Sequence, residues 1–300
     1  MSVQFTILGS GSNGNCAYLE TGEVRLLIDA GFSGRQIRQK LAEISRTPET
    51  LSGILITHEH SDHITGLVGL AAKLNLPVYC NRQTREAIES ALQIKINARL
   101  FDTGNSFEIG DVEINTFSVP HDAIDPVGFL IRTSLGQIGF LTDLGHCTKL
   151  IMERVRASNI LVLETNHDVQ MLQDCPKRPW SLKQRILSRH GHLSNEAAAD
   201  VAEQLASADL RRIYLGHLSR DCNKPELALH AVANRLQKNG ATHIAVEVTS
   251  QTTACPTFHL QKLAPPPVLQ ILRETFTPAV RESLPTSATP PTVLRQQVLL

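Results

Sequence analysis

The segment ITHEHSDHITGL constrains this chain more than any other stretch. It places His58, His60, Asp62 and His63 directly after an apolar run at residues 53–57. The run reads as a buried strand, and the pattern after it as a helix over about 62–74. In a loop leaving a strand end, alternate residues face one side, so His58 and His60 can reach a common point. Asp62 and His63 open the helix and point to a second position nearby. Imidazole and carboxylate are the ligands that borderline divalent ions such as zinc prefer.

The rest of the chain supplies the frame. Apolar runs at 3–8, 16–19 and 24–29 read as successive strands, separated by GSGSNGN and Thr21-Gly22. A helix follows at 33–44, with Ser33 as N-cap. A strand at 78–80 and a helix at 82–92 come next, then strands at 106–109, 112–119, 127–133 and 137–142. Helices at 147–156, 182–187, 195–206 and 224–238 alternate with strands at 160–164, 212–215 and 243–247, and a strand at 257–259 closes the body. A strand block followed by helices, occurring twice, predicts an α/β fold in which two sheets pack face to face with helices outside, a four-layer αββα sandwich. It occupies residues 1–260. Residues 261–300 carry seven of the 15 prolines and no glycine, which predicts a mobile tail.

Composition narrows the function. Hydrophobic residues are 42% and charged residues 19%, enough for a core and too little charge for wholesale disorder. Lysine plus arginine and aspartate plus glutamate both number 29, so the chain is not a globally basic nucleic-acid coat. Aromatics at 4%, with one tryptophan, leave few rings for stacking bases. The six cysteines form no CxxC pair, which argues against a zinc ribbon or a disulfide scaffold. The N-terminus lacks the basic and apolar regions of a signal peptide, and no stretch is apolar enough for a membrane helix. The expected location is cytoplasmic. With 12 histidines in the chain, their placement matters most.

HxHxDH in this strand-to-helix context resembles the metallo-β-lactamase superfamily, whose other motifs follow in order. Asp29 in LLIDAG resembles the aspartate that supports the histidine loop from behind. His121 in SVPHDAIDPVGF, Asp143 in IGFLTDLG and His217 in IYLGHLS resemble the remaining ligands. The resemblance implies two divalent ions, zinc or manganese. His58, His60 and His121 would hold one, Asp62, His63 and His217 the other, and Asp143 would bridge them. Two such cations lower the pKa of a shared water, and the resulting hydroxide is the expected nucleophile. Asp62 and His192 are the residues expected to act in the chemical step.

Further features bear on the reaction. GSGSNGN, containing Ser12, can cradle phosphate with its amides or be a plain hairpin turn. RHGHLSNEAAA resembles the phosphodiesterase branch that includes RNase Z and PhnP. There a histidine matching His192 protonates the leaving oxygen; the bland alternative is a helix-capping loop. CPKRPWSLKQRILSRHGHL carries Lys177, Arg178, Lys183, Arg185 and Arg189 around Trp180. It reads equally as a local nucleic-acid approach, with Lys183 and Arg185 as substrate contacts, or as a solvated helical face. His146 is expected in the cavity wall or at the surface. These motifs together with ETNHD, which holds Glu164 and His167, resemble the YycJ/WalJ-type branch. The branch implies a DNA exonuclease acting with DNA-repair proteins, with Glu164 and His167 behind the site. Rival readings are a phosphodiesterase for a small cyclic or modified nucleotide and a thioester or lactone hydrolase.

Overall fold

Strands buried on both faces should read as unbroken apolar runs, and the runs in this chain do. The computed structural model describes residues 2–261. The first sheet takes β1 (Val3–Gly9), β2 (Cys16–Glu20), β3 (Arg25–Ile28), β4 (Gly53–Leu55), β5 (Pro77–Cys80) and β6 (Asn97–Leu100). The second takes β7 (Ser106–Ile109), β8 (Val112–Ser118), β9 (Val127–Thr133), β10 (Gly136–Leu141), β11 (Ile160–Glu164), β12 (Arg212–Gly216) and β13 (Ala245–Val248). A last strand, β14 (Phe258–Leu260), returns to pair antiparallel with β1. Both sheets follow chain order otherwise. β1–β2–β3 and β7–β8–β9–β10 are antiparallel, whereas β3 to β6 and β10 to β13 run parallel.

Three apolar layers show the sandwich. Val3, Phe5, Leu19, Phe129, Ile131 and Val162 meet between the sheets. Truncating Phe5 or Phe129 there would cost ~3–5 kcal/mol. Tyr18, Leu27 and Ile54 face the other way, against α1 (Gly34–Glu43) and its neighbours. Leu161, Leu163 and Leu215 face α5 (Lys149–Val155), α8 (Asn195–Leu205) and α9 (Pro225–Lys238). Within α8 the buried Ala198, Val201, Ala202 and Leu205 recur at helical spacing. The αββα expectation therefore holds.

Local differences have local causes. The helix expected over 62–74 is broken into α2 (Ser61–Ile64), a 3-10 turn at Thr65–Leu67 and α3 (Ala71–Leu74). Glycines make the break. A side chain at Gly66 would come within 2.5 Å of the Phe32 carbonyl, and one at Gly69 within 3.0 Å of Gly34, so this segment lies directly on the start of α1. β6 was not expected, because it is an edge strand without an apolar run. The short α6 (Val169–Asp174) was also missed. It is capped by the Asp168 side chain, which accepts from the Met171 amide. α4 (Arg82–Leu92) stands as predicted, and α7 (Trp180–Ile186) begins two residues early. Apart from Gln261, the expected tail lies outside the described residues. Among the described residues no helix is long and apolar enough to cross a membrane, and all six cysteines are buried free thiols.

Candidate metal centre

The carboxyl ends of the parallel strands converge at one edge of the sandwich, where open α/β sheets bind ligands. Asp29 follows β3, the HEHSDH loop follows β4, Asp143 follows β10, Glu164 ends β11 and His217 follows β12. His121 enters from the loop after β8. Asp29, Asp143 and His217 each sit in the left-handed region, with φ of 60°, 56° and 56°. Aspartate and histidine are among the few non-glycine types that tolerate it, and such strain gathers at functional sites. The turn swings each side chain back over the strand ends.

Hydrogen bonds on the outer side of His58, His63, His121 and His217 fix which nitrogen faces inward. The Thr57 amide and hydroxyl donate to the buried Asp29 carboxylate, at 2.9 Å for the amide. His63 Nδ1 donates to Asp29 Oδ2 at 2.8 Å, leaving Nε2 inward. His58 Nδ1 lies 3.0 Å from the Thr57 hydroxyl and donates to it. His121 Nδ1 donates to the Gly191 carbonyl at 3.1 Å, and His217 Nδ1 to Glu164 Oε1 at 2.8 Å. Such outer partners set tautomer and ring orientation in metal sites.

The inward atoms form two adjoining clusters. His60 Nδ1 lies 3.0 Å from His58 Nε2 and 3.3 Å from His121 Nε2. His217 Nε2 lies 3.2 Å from Asp62 Oδ2, and His63 Nε2 3.6 Å from the same oxygen. Asp143 stands between, with Oδ2 3.2 Å from His63 Nε2 and Oδ1 3.7 Å from His121 Nε2. Converging lone pairs repel unless a cation lies among them. Asp143 Oδ2 is buried without a hydrogen-bond partner, as a ligand atom would be. These residues fit divalent metal ions, and the donor set of imidazole nitrogens and carboxylate oxygens suits zinc or manganese. Ligand atoms of His58, His60 and His121 lie within 4.8 Å of one another, as do those of Asp62, His63 and His217, and those of Asp143, Glu164, His192 and His217.

The electrostatics agree. Burial lowers the pKa of His63 and His217, but the nearby carboxylates, Asp143 foremost, outweigh it and hold both well above the usual value. Burial raises Asp143, yet His217 and His63 hold it well below the carboxylate range. His58 is pushed well down, by burial first and by His63 next.

Glu164 links this centre to His192. Its Oε1 accepts from His217 Nδ1 at 2.8 Å and from His192 Nδ1 at 2.7 Å. Its Oε2 accepts from the Leu144 and Leu193 amides. Burial raises its pKa, but His192 and these hydrogen bonds bring it down to about 2. Burial lowers His192, and the Glu164 carboxylate more than compensates, so its pKa is raised. Ser194, two residues on, caps α8 by accepting from the Ala197 amide. The loop is thus both a helix cap and the mount for His192.

A cavity of about 250 Å³ opens over the cluster, walled by His60, Asp62, His121, Asp143 and His192. Ser12 and Arg185 line it as expected. Lys183 does not: its side chain is buried and its ammonium donates to the Gln173 carbonyl at 2.6 Å. His146 is exposed and outside the wall. His167 is buried behind the site with neither ring nitrogen hydrogen-bonded, and burial brings its pKa down to about 4. The Gly/Ser loop is the β1–β2 connection rather than an open phosphate cradle. The amides of Ser10, Gly11, Asn13, Gly14 and Asn15 all bond within the protein. The sequence reading missed what this loop does. Ser10 Oγ accepts from the His217 amide at 2.8 Å, and the Asn15 amide donates to the Asp62 carbonyl at 2.8 Å. Arg178 of the basic segment also lines the cavity, and Asn166 and Ser219 were missed there.

Comparison with known proteins gives the family. A family profile described as "Beta-lactamase superfamily domain" matches residues 24–218. Exodeoxyribonuclease YycJ of Bacillus anthracis is 39% identical over 242 residues, 80% of this chain and 91% of its own length. Exodeoxyribonuclease WalJ of Streptococcus pneumoniae is 40% identical over 260 residues, 84% of this chain and 96% of its own. Among solved structures, the metallo-β-lactamase fold protein YhfI of Bacillus subtilis superposes with a TM-score of 0.66 at 15% identity. That match covers 86% of this chain and 100% of YhfI, and it establishes the fold alone. The chain therefore belongs to the β-lactamase superfamily, in its YycJ/WalJ-type branch, and is a metal-dependent hydrolase.

Proposed function

We propose that the protein hydrolyses DNA phosphodiester bonds from a strand end, using two divalent ions, zinc or manganese. The relatives named exodeoxyribonucleases, similar over most of both chains, support the substrate class. The observation that carries the chemistry is Glu164 Oε1, which holds both a proposed ligand, His217, and the cavity-lining His192. His58, His60 and His121 would hold one ion, Asp62, His63 and His217 the other, with Asp143 between. The bound ions would supply Lewis acidity at the phosphoryl group and an activated water as nucleophile.

The protein's own groups do the rest. Asp29 and Glu164 keep the ligand imidazoles in the tautomer whose lone pair faces inward. Asp62 lines the cavity, where its carboxylate would hold the second ion and could accept a hydrogen bond from the nucleophilic water. His192 donates Nδ1–H to Glu164, which leaves Nε2 for the cavity. The Glu164 carboxylate raises its pKa, which favours the protonated form that a general acid needs to protonate a departing sugar alkoxide.

The test uses end-labelled oligonucleotides and bis-p-nitrophenyl phosphate, with metal content measured alongside. His192→Ala should lose ~10²–10⁴-fold in turnover while keeping its metal. Loss of metal in that variant would make His192 a ligand instead. Full nuclease activity in His60→Ala or Asp143→Asn, with metal verified, would sink the two-ion account.

A further inference from the structure

Of the basic residues from Lys177 to Arg189, most are engaged by the protein itself or stand outside the cavity wall. The Lys177 amine is taken by Asp221 at 2.7 Å. Arg178 gives Nη2 to the same carboxylate, and its Nε is buried. Lys183 is buried on the Gln173 carbonyl, and Arg189 is exposed outside the wall. Arg185 differs from all of these. It lines the cavity, and its side chain is 61% exposed. Its Nε donates to Asp122 Oδ2. Among the described residues no hydrogen bond engages Nη1 or Nη2, so the outer edge of the guanidinium is open.

Asp122 gives the guanidinium its place. Its carboxylate also lines the cavity, and Oδ1 lies 3.5 Å from His121 Nε2, an atom of the first ligand cluster. A lone carboxylate there would repel an incoming phosphate. The guanidinium cancels that charge and still has two Nη groups, whose fork matches two oxygens of a phosphate. A pair this exposed contributes little to stability, so stability does not account for it. The mount beneath it is firm. Arg185 sits in the last turn of α7, and the His192 amide donates to the next carbonyl, that of Ile186, at 3.0 Å. The Gly191 carbonyl accepts from His121 Nδ1 at 3.1 Å. A side chain at Gly191 would come within 2.4 Å of the Arg185 carbonyl, so the end of α7 packs directly on the loop that carries His192.

We propose that Asp122 is a positioning residue for Arg185, and that the pair aims the guanidinium at the phosphate next to the one being cleaved, on the side of His58, His60 and His121. Asp122 stands between the guanidinium and His121 Nε2, which puts the fork beside the cleaved phosphate rather than on it. The contact is to the backbone and reads neither sequence nor pairing. This rests on the proposed nuclease function and goes beyond it by naming a substrate contact and the residue that aims it.

The probe is a set of oligonucleotides, each with one neutral methylphosphonate linkage at a different position near the cleaved end. With the wild-type enzyme, one position other than the cleaved linkage should raise KM about tenfold or more. Arg185→Ala, with Arg185→Gln as a second variant, should raise KM for the unmodified oligonucleotide by a like factor and abolish the effect at that position. The slope of log KM against log salt should fall by about 0.7–0.9, the value of one phosphate contact. Arg189→Ala removes the same charge outside the wall and should change neither. Asp122→Ala should raise KM in the wild-type background and add nothing in Arg185→Ala. Asp122→Asn keeps an acceptor for Nε and should recover part of that loss. Metal content should stay at the wild-type level in each variant. The same methylphosphonate profile in wild type and Arg185→Ala would overturn the proposal. So would an Asp122→Ala protein that loses metal and raises KM as much without Arg185, since Asp122 would then serve His121. A wild-type enzyme that cleaves oligonucleotides, with KM untouched by Arg185→Ala, overturns this proposal alone. One that cleaves bis-p-nitrophenyl phosphate and no oligonucleotide overturns the DNA reading and this proposal together.

Discussion

Asp29→Asn isolates how much of the metal centre depends on a residue that would touch no metal. Asparagine tolerates the left-handed backbone at this position, where φ is 60°, so the turn should survive. The hydrogen bonds cannot. Asp29 Oδ1 accepts from the Thr57 amide at 2.9 Å, and Oδ2 accepts from His63 Nδ1 at 2.8 Å. An amide offers one acceptor in place of two, so either orientation sets two donors face to face. With the amide nitrogen toward His63, the imidazole must place its proton on Nε2. That is the atom 3.2 Å from Asp143 Oδ2, so its lone pair is withdrawn from the metal position. Loss of such an outer partner weakens metal binding ~10–100-fold. At about 1.4 kcal/mol per tenfold, this is roughly 1.4–2.7 kcal/mol. Competition against a chromophoric chelator reads the affinity, and circular dichroism with thermal unfolding checks the fold. Metal affinity at the proposed site of Asp62, His63 and His217 should weaken most, and at the proposed site of His58, His60 and His121 least. A folded Asp29→Asn protein that holds both ions with wild-type affinity would refute the tautomer argument.

Three other perturbations test separate parts of the reasoning. Glu164→Gln meets four donors with a single acceptor oxygen, so it should lose both turnover and metal, where His192→Ala loses turnover alone; parallel kinetic and metal assays distinguish them. His167 has its pKa brought down to about 4 by burial, against ~6.5 in the unfolded chain. The folded state then binds fewer protons, so its contribution is full above pH ~6.5 and is lost as pH falls toward 4, to the extent of about 3 kcal/mol. His167→Leu should flatten the urea-unfolding stability of the metal-stripped protein across that window; an unchanged slope would refute the assignment. Gly31→Ala would put a methyl group 1.6 Å from the Asp62 carbonyl and 2.5 Å from the Asn15 amide nitrogen. Backbone must move there, so a loss of ~3 kcal/mol or more and a metal-deficient protein are expected from thermal unfolding and metal analysis.

Much of the site was legible because it is local. His58, His60, Asp62 and His63 share one strand-to-helix turn, and their spacing alone sets two ligand pairs. Burial on both faces made the core strands unbroken apolar runs, so the layered sandwich could be read before the contacts were known. The edge strand β6 carried no such run and was missed. The helix expected over 62–74 failed although its periodicity is sound, because its glycines answer to a close approach by the start of α1.

The sequence by itself determined the types and order of the proposed ligands and the alternation of strands and helices, because these depend on residue chemistry and short-range periodicity. Only the tertiary structure decided which nitrogen of each histidine faces inward. For His63 and His217 that choice rests on partners far along the chain, Asp29 and Glu164. It also decided which basic residue faces the cavity. Lys183 and Arg178 are alike as charges in sequence, but Lys183 meets a carbonyl inside the fold, while Arg178 keeps a buried N–H unpartnered at the cavity wall. The direction a side chain takes is set by the packing of its helix, and a list of residues does not contain it.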